Sequence, residues 1–120
     1  MALRPIHQVS PLFCALIAAG SALAGDITLI KDIGRSGFGS YPSNFFELAP
    51  DRIFFSATDP IAGRELWITD GTTSGTRLVK DLVPGVGDSN PGGFRAVGNR
   101  VFFGATPQQC YTDIWSTDGT

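Results

Sequence analysis

Beyond residue 25 the chain is a series of short runs in which apolar side chains alternate with polar ones, or aromatic pairs sit between turn residues. Glu65-Leu66-Trp67-Ile68-Thr69 and Asp113-Ile114-Trp115-Ser116-Thr117 alternate, so a strand with a side-chain period of two carries Trp and Thr on one face. Arg52-Ile53-Phe54-Phe55-Ser56-Ala57-Thr58 and Arg100-Val101-Phe102-Phe103-Gly104-Ala105-Thr106 are Phe-rich and β-branched, the composition of strands. Further strands are predicted over 76–82, over 27–33, and over 44–48 and 93–97. Between them lie Gly98-Asn99, Asp70-Gly71-Thr72-Thr73-Ser74-Gly75 and the Pro/Gly-rich 83–91, all turn or loop compositions. No stretch in this region sustains a 3.6-residue period, so the expected class is all-β.

These runs are copies of one another. Trp67 and Trp115 lie 48 residues apart, as do Thr69 and Thr117, Asp70 and Asp118, Gly71 and Gly119, and Thr72 and Thr120. The runs beginning at Arg52 and Arg100 share that offset. Upstream the offset is 49: Leu29 with Leu78, Lys31-Asp32 with Lys80-Asp81, Ser40 with Ser89, Pro42 with Pro91, Phe45 with Phe94. The change falls between Leu48 and Arg52, where Ala49-Pro50-Asp51 stands against Gly98-Asn99, and a turn is the expected place for a length change. The copies span about 29–77 and 78–120.

Four short strands in one such period is the span of a β-propeller blade: here 44–48, 52–58, 64–70 and 76–82, antiparallel in chain order. The neighbours Phe54 and Phe55 point to opposite faces of their strand, so both faces of the sheet call for cover, which a blade packed between two others supplies. A β-solenoid is the competing architecture, but its rungs are shorter than this period. Counting along the chain gives one strand, then four, then three: two blades in permuted order, an incomplete propeller, because propellers close with four to eight. Two explanations fit: a longer protein supplies the remaining blades, or several copies assemble and the first strand of one completes the last blade of the next.

The repeat also resembles a known family. Glu65-Leu66-Trp67-Ile68-Thr69-Asp70-Gly71-Thr72 matches the ELWxxDGT repeat of exported bacterial proteins at each defined position. Gly75-Thr76, Leu78-Val79-Lys80-Asp81 and Phe102-Phe103-x-Ala105 are similar to the rest of that repeat, so the likeness spans essentially all of 25–120. The second copy departs from it, with Asp113-Ile114 in place of Glu-Leu and Pro107-Gln108-Gln109-Cys110-Tyr111 in place of an Asp-and-Gly loop. The resemblance implies propeller blades and no catalytic activity.

The N-terminal residues read as an address. Arg4 precedes the apolar run Leu12-Phe13-Cys14-Ala15-Leu16-Ile17-Ala18-Ala19, and Ala22-Leu23-Ala24 then places small residues at the −3 and −1 positions before Gly25. This is the layout of a signal peptide over 1–24, cleaved after Ala24, and the run is shorter than the ~20 residues a membrane span requires. The expected destination is the cell exterior or envelope. Cleavage leaves 96 residues with a net charge of −3, no histidine, and Cys110 as the single cysteine.

That composition removes whole classes of chemistry. A Ser-His-Asp triad and a Cys-His pair both lack their base, and zinc sites of the His/Cys kind lack ligands. The negative balance is not the footprint of a nucleic-acid binder. No internal disulfide can form; Cys110 either pairs with another chain or stays a half-buried thiol.

Several features invite a functional reading and have a plainer one. The Asp-Gly-Thr triplets at 70–72 and 118–120 are expected to build turns rather than bind a ligand. Asp88-Ser89-Asn90 resembles part of a calcium loop but lacks its spaced acidic ligands. Trp67 and Trp115 could stack on sugars, yet mid-strand they fit the core. Glu47, Asp59 and Glu65 could include an acid/base pair for glycoside cleavage, though no spacing argues for it. Gly85-Val86-Gly87 precedes no helix and is not a phosphate loop. No catalytic, cofactor-binding or metal residue is therefore assigned, and no cofactor is expected. The expectation is an exported, non-catalytic platform for a protein or glycan partner; the alternatives are a piece of a carbohydrate-active propeller enzyme or a purely structural surface repeat.

Overall fold

The structure is a computed structural model that describes residues 27–35, 37–108 and 111–120. The signal peptide expected over 1–24 and Cys110 lie outside the described residues. Among the described residues seven strands form two antiparallel sheets: β1 (Ser43–Ala49), β2 (Arg52–Asp59), β3 (Gly63–Thr69) and β4 (Arg77–Lys80) in the order β1-β2-β3-β4, then β5 (Gly92–Val97), β6 (Arg100–Gln108) and β7 (Tyr111–Thr117) in the order β5-β6-β7. The fold is all-β, and neither sheet is closed.

The two sheets repeat one another in register. Phe55 faces Trp67 across β2 and β3, and Phe103 faces Trp115 across β6 and β7; Ser43 faces Ser56, and Gly92 faces Gly104. Each first strand is bulged at the same place, where Asn44 (φ 56°) and its counterpart Gly93 (φ 69°) take the left-handed conformation. Such a bulge inserts one unpaired residue and re-aims the strand.

The one-residue length difference is not where the turn composition places it. Ala49 pairs with Arg52 and Val97 with Arg100, so both hairpin turns contain two residues, Pro50-Asp51 and Gly98-Asn99. The extra residue sits instead in β1, in a second register shift between Glu47 and Ala49. A two-residue turn matches the twist of the flanking strands, and a bulge absorbs an insertion without reopening it.

Strand alternation divides the side chains of the first sheet between two cores. Phe54, Leu66 and Ile68 point toward the second sheet and share a core with its Phe94, Val101, Phe103 and Ala105, with Phe46, Leu48, Val79, Leu82 and Trp115 around it. Phe55, Ala57 and Trp67 point the other way and pack with Ile33 and Leu78. The first sheet is thus covered on both faces, as the adjacent phenylalanines require. Trp67 is buried in one core and Trp115 is half-buried against the other.

The segment 27–33 differs from expectation: it forms no strand. Its sequence is a copy of β4, but a strand is made by ladder bonds to a neighbour, and no β3-like strand runs beside it among the described residues. It lies over the Phe55 face, where Ile33 is buried and the carbonyl of Ile30 accepts a bond from the Thr73 hydroxyl at 2.7 Å. β4 is also shorter than its composition predicts. Thr76 is held in the preceding turn by bonds to Thr69 (2.7 Å) and to the Thr72 carbonyl (2.6 Å), and beyond Lys80 the amides of Leu82 and Val83 turn to Glu65.

Candidate functional site

A cleft of about 400 Å³ opens where the loop joining the two sheets passes β6. Val83, Val86, Gly87, Asp88 and Asn90 line it from the loop, and Thr106 and Pro107 from β6. Loop clefts on a rigid sheet scaffold are the usual place for recognition.

The loop is held by a buried carboxylate. Glu65 is fully buried; it accepts bonds from the amides of Leu82 (3.3 Å), Val83 (3.3 Å) and Ser89 (3.2 Å) and from the Ser89 hydroxyl. Burial pushes the Glu65 carboxyl above its ordinary value; these bonds oppose the rise and the nearby Asp81 charge adds to it. A carboxylate can be buried only when its oxygens are satisfied, and here the loop's own main chain satisfies them.

The neighbouring residue adds a second tether. The Arg64 amide donates to Asp88 (2.7 Å), and the Arg64 carbonyl accepts from the amides of Ser89 (3.0 Å) and Asn90 (3.3 Å). At Gly63 (φ 69°) an added Cβ would overlap the Gly87 carbonyl, so glycine is what lets the loop lie this close. The Thr106 amide then donates to Ser89 at 2.7 Å and fixes the loop to the second sheet. Beyond the cleft the buried Ser56 hydroxyl donates to the Pro91 carbonyl, which the Asn44 amide also reaches (3.4 Å). Asn90 remains exposed on the rim, in a left-handed conformation (φ 48°), and Val86 is exposed beside it.

The chain matches no family model, no curated protein and no solved structure.

The other singled-out residues divide as follows. Both Asp-Gly-Thr triplets form the same turn. Asp70 accepts from the Thr72 amide (2.8 Å) and hydroxyl (2.6 Å), and Asp118 from those of Thr120 (3.0 and 2.6 Å); Gly71 and Gly119 each donate to the Thr two residues back at 3.0 Å. The threonine hydroxyls, then their amides, hold both aspartates below the ordinary carboxylate value. Asp88 and Ser89 of the calcium-like run spend bonds on Arg64 and Glu65. Trp67 is 5% exposed, which closes its face to a stacked sugar. Asp59 caps the amides of Ile61 (2.7 Å) and Ala62 (3.3 Å) and pairs with Arg35 at 3.4 Å, and Glu47 is exposed on β1. Among the described residues no cluster of three or more His, Cys, Asp or Glu is placed to hold a metal.

Glu65 shares the Trp67 face of β3, and its clamp role leaves no mark on residue spacing because its partners are the amides of Leu82, Val83 and Ser89 and the Ser89 hydroxyl. Asn90 and Thr106 likewise carry no motif that marks them as cleft residues. The signal is in Ser40 and Ser89: a serine kept at the 49-residue offset, two residues before a proline, marks a position where the main chain is tied down.

Proposed function

We propose that the chain is an exported, non-catalytic module of β-propeller blades of the ELWxxDGT class, and that the loop cleft between its two units receives a protein or glycan partner. The observation that carries this reading is the pinned cleft. Its walls are fixed by Glu65, Arg64 and Thr106, while Asn90 and Val86 are left exposed at the rim. A site fixed before binding gives up little conformational entropy when a partner arrives. The non-catalytic part is supported by what the carboxylates do: Glu65 and Asp59 cap main-chain amides, and Asp70 and Asp118 stabilise turns.

The blade reading is supported by the in-register repetition of the two sheets and by the way one packs face to face on the other. Export rests on the leader pattern over 1–24; N-terminal sequencing of secreted protein beginning at Gly25 supports it, and a chain that stays inside the cell with Met1 intact overturns it.

The binding test uses glycan and peptide arrays probed with the purified chain and with Asn90→Gly. Glycine keeps the left-handed backbone and removes only the amide. Loss of an array signal in Asn90→Gly supports the cleft. A signal that survives places recognition elsewhere, and no signal on either array favours a purely structural repeat. Polysaccharide hydrolysis abolished by changing one carboxylate would replace the reading with an enzyme.

A further inference from the structure

We propose that Tyr41 is a stacking platform for an uncharged sugar ring, standing in the first unit where Asn90 stands in the second. The proposal rests on the binding role proposed for the cleft and deepens it, by naming a glycan as the partner and adding a second contact beside Asn90.

Both units keep one unusual backbone conformation. Tyr41 and Asn90 are 49 residues apart, each between a serine and a proline, and both are left-handed, at φ 44° and 48°. Asparagine enters this region readily; a bulky aromatic residue does so only under strain. Packing does not offset that strain, because Tyr41 is 74% exposed. Bonds around it impose the conformation instead. The Ser40 carbonyl accepts from the Thr58 amide at 2.7 Å, the Tyr41 carbonyl accepts from Arg64 Nη1 at 3.0 Å, and Pro42 follows. A strained residue that the fold holds firmly without burying it points to recognition.

The ring is also seated. A Cβ added to Gly39 would lie 2.6 Å from Tyr41 Cζ, 2.8 Å from Cε2 and 3.0 Å from the hydroxyl oxygen. Cζ is nearest and two atoms bonded to it are slightly further, which places Gly39 under the face of the ring and not at its edge. Glycine therefore lets the ring lie flat on the main chain, with the opposite face left to solvent. Exposure at this position belongs to the unit itself. In the second unit, which has a whole sheet before it, the equivalent Asn90 is exposed too.

A single aromatic face surrounded by water suits a pyranose ring, which has an apolar C–H face of matching size and hydroxyls at its edge. A protein partner needs a far wider patch with an apolar centre. The neighbouring cations are engaged, Arg35 with Asp59 at 3.4 Å and Arg64 with the Ser43 hydroxyl as well as with Tyr41, so the platform favours a sugar without charge. Arg64 also sets the spacing of the two contacts. Its guanidinium holds the Tyr41 carbonyl, and its own carbonyl accepts the Asn90 amide at 3.3 Å. Tyr41 and Asn90 thus stand at the two ends of one arginine, close enough for one oligosaccharide to reach both.

The test probes arrays of neutral glycans, acidic glycans and peptides with the parent chain, Tyr41→Phe, Tyr41→Asn and Asn90→Gly. Tyr41→Asn removes the ring and installs a residue that this backbone prefers. The expected result is binding to neutral glycans that Tyr41→Phe keeps and Tyr41→Asn weakens about tenfold, the scale on which losing one stacked ring is felt. The urea midpoint of Tyr41→Asn should stay at or above that of the parent, since the ring serves binding and not packing. Neutral-glycan binding unchanged in Tyr41→Asn, its loss in Tyr41→Phe, or a lowered urea midpoint in Tyr41→Asn overturns the proposal. So does binding to peptides or acidic glycans alone, or to nothing on the arrays. Peptide binding lost in Asn90→Gly would leave the cleft standing without the platform; glycan binding lost in Tyr41→Asn and kept in Asn90→Gly would leave the platform without the cleft.

Discussion

The Thr58 amide donates to the Ser40 carbonyl at 2.7 Å, and 48 and 49 residues onward the Thr106 amide donates to Ser89, also at 2.7 Å. This bond ties the chain entering each unit to that unit's second strand. In the first unit it anchors the segment leading from 27–33; in the second it anchors the loop that walls the cleft. The aromatic pair beside it repeats as well: Phe45 stacks on Phe55 at 5.3 Å, and Phe94 contacts Phe103 at 5.8 Å. What differs is the cover, since a seven-residue non-strand segment lies over Phe55 and a whole sheet over Phe103.

That difference predicts unequal consequences for equal truncations. Phe55 and Phe103 are each 4% exposed, and a buried Phe→Ala change costs about 3–5 kcal/mol. Phe103→Ala opens the core that joins the sheets, so urea unfolding should lose cooperativity as well as midpoint. Phe55→Ala should release the segment 27–42 first, seen as new proteolysis at Lys31 or Arg35 before any change in the second sheet. Identical unfolding curves and cleavage patterns for the two variants would show that the covers do not differ in this way.

Glu65 makes the stability of the chain depend on pH. Its carboxyl is pushed above the ordinary value by burial, so the folded state binds that proton more tightly than the unfolded state. Its contribution is therefore greatest below the unfolded carboxylate value, declines as pH rises from there through the raised folded value, and is constant above it. Glu65→Gln should remove this decline. It also turns an NH₂ group toward donors that need acceptors, and should cost about 2–3 kcal/mol at neutral pH. Urea midpoints of parent and variant across mildly acidic pH test both parts; parallel curves would show that Glu65 does not titrate in that window.

The Asp70 turn responds in the opposite sense. The Thr72 hydroxyl, then its amide, holds the Asp70 carboxyl below the ordinary value, so this contribution is present above the unfolded value and fades as pH falls through the depressed one. Thr72→Val keeps the shape and removes the hydroxyl. NMR titration of the Asp70 carboxyl should then move toward the ordinary value, while Asp118, in its own turn with Thr120, stays where it is.

Much of this architecture could be read from residue spacing, and the failures have physical causes. The offsets locate all seven strands of the described residues to within about two residues, and the neighbouring phenylalanines imply that the first sheet is covered on both sides. The segment 27–33 failed because being a strand is a property of a pair, and composition describes only one member. Composition points to a turn for the insertion because turns tolerate length changes, but Pro50-Asp51 already closes a two-residue hairpin and Leu48 takes up the slack. As a motif Glu65 reads as a candidate acid, whereas its partners are main-chain amides and the Ser89 hydroxyl, which no spacing reveals.

Gly71 and Gly119 separate the strain of the turn from the packing of one unit on the other. Both hold a left-handed conformation, at φ 88° and 90°. Around Gly71 an added Cβ meets nothing within 4 Å. At Gly119 it would lie 2.6 Å from Ile68 Cδ1 and 3.2 Å from Phe54 Cζ, because this turn rests on the first sheet and its carbonyl accepts a bond from Arg77. Gly71→Ala should therefore cost only the backbone strain, about 1–2 kcal/mol. Gly119→Ala carries the same strain plus overpacking of about 1–3 kcal/mol against side chains that are themselves buried. Urea denaturation of the two variants measures the difference directly. Equal costs would show that the second turn does not bear on Phe54 and Ile68, and with that the face-to-face packing of the two units would lose one of its supports.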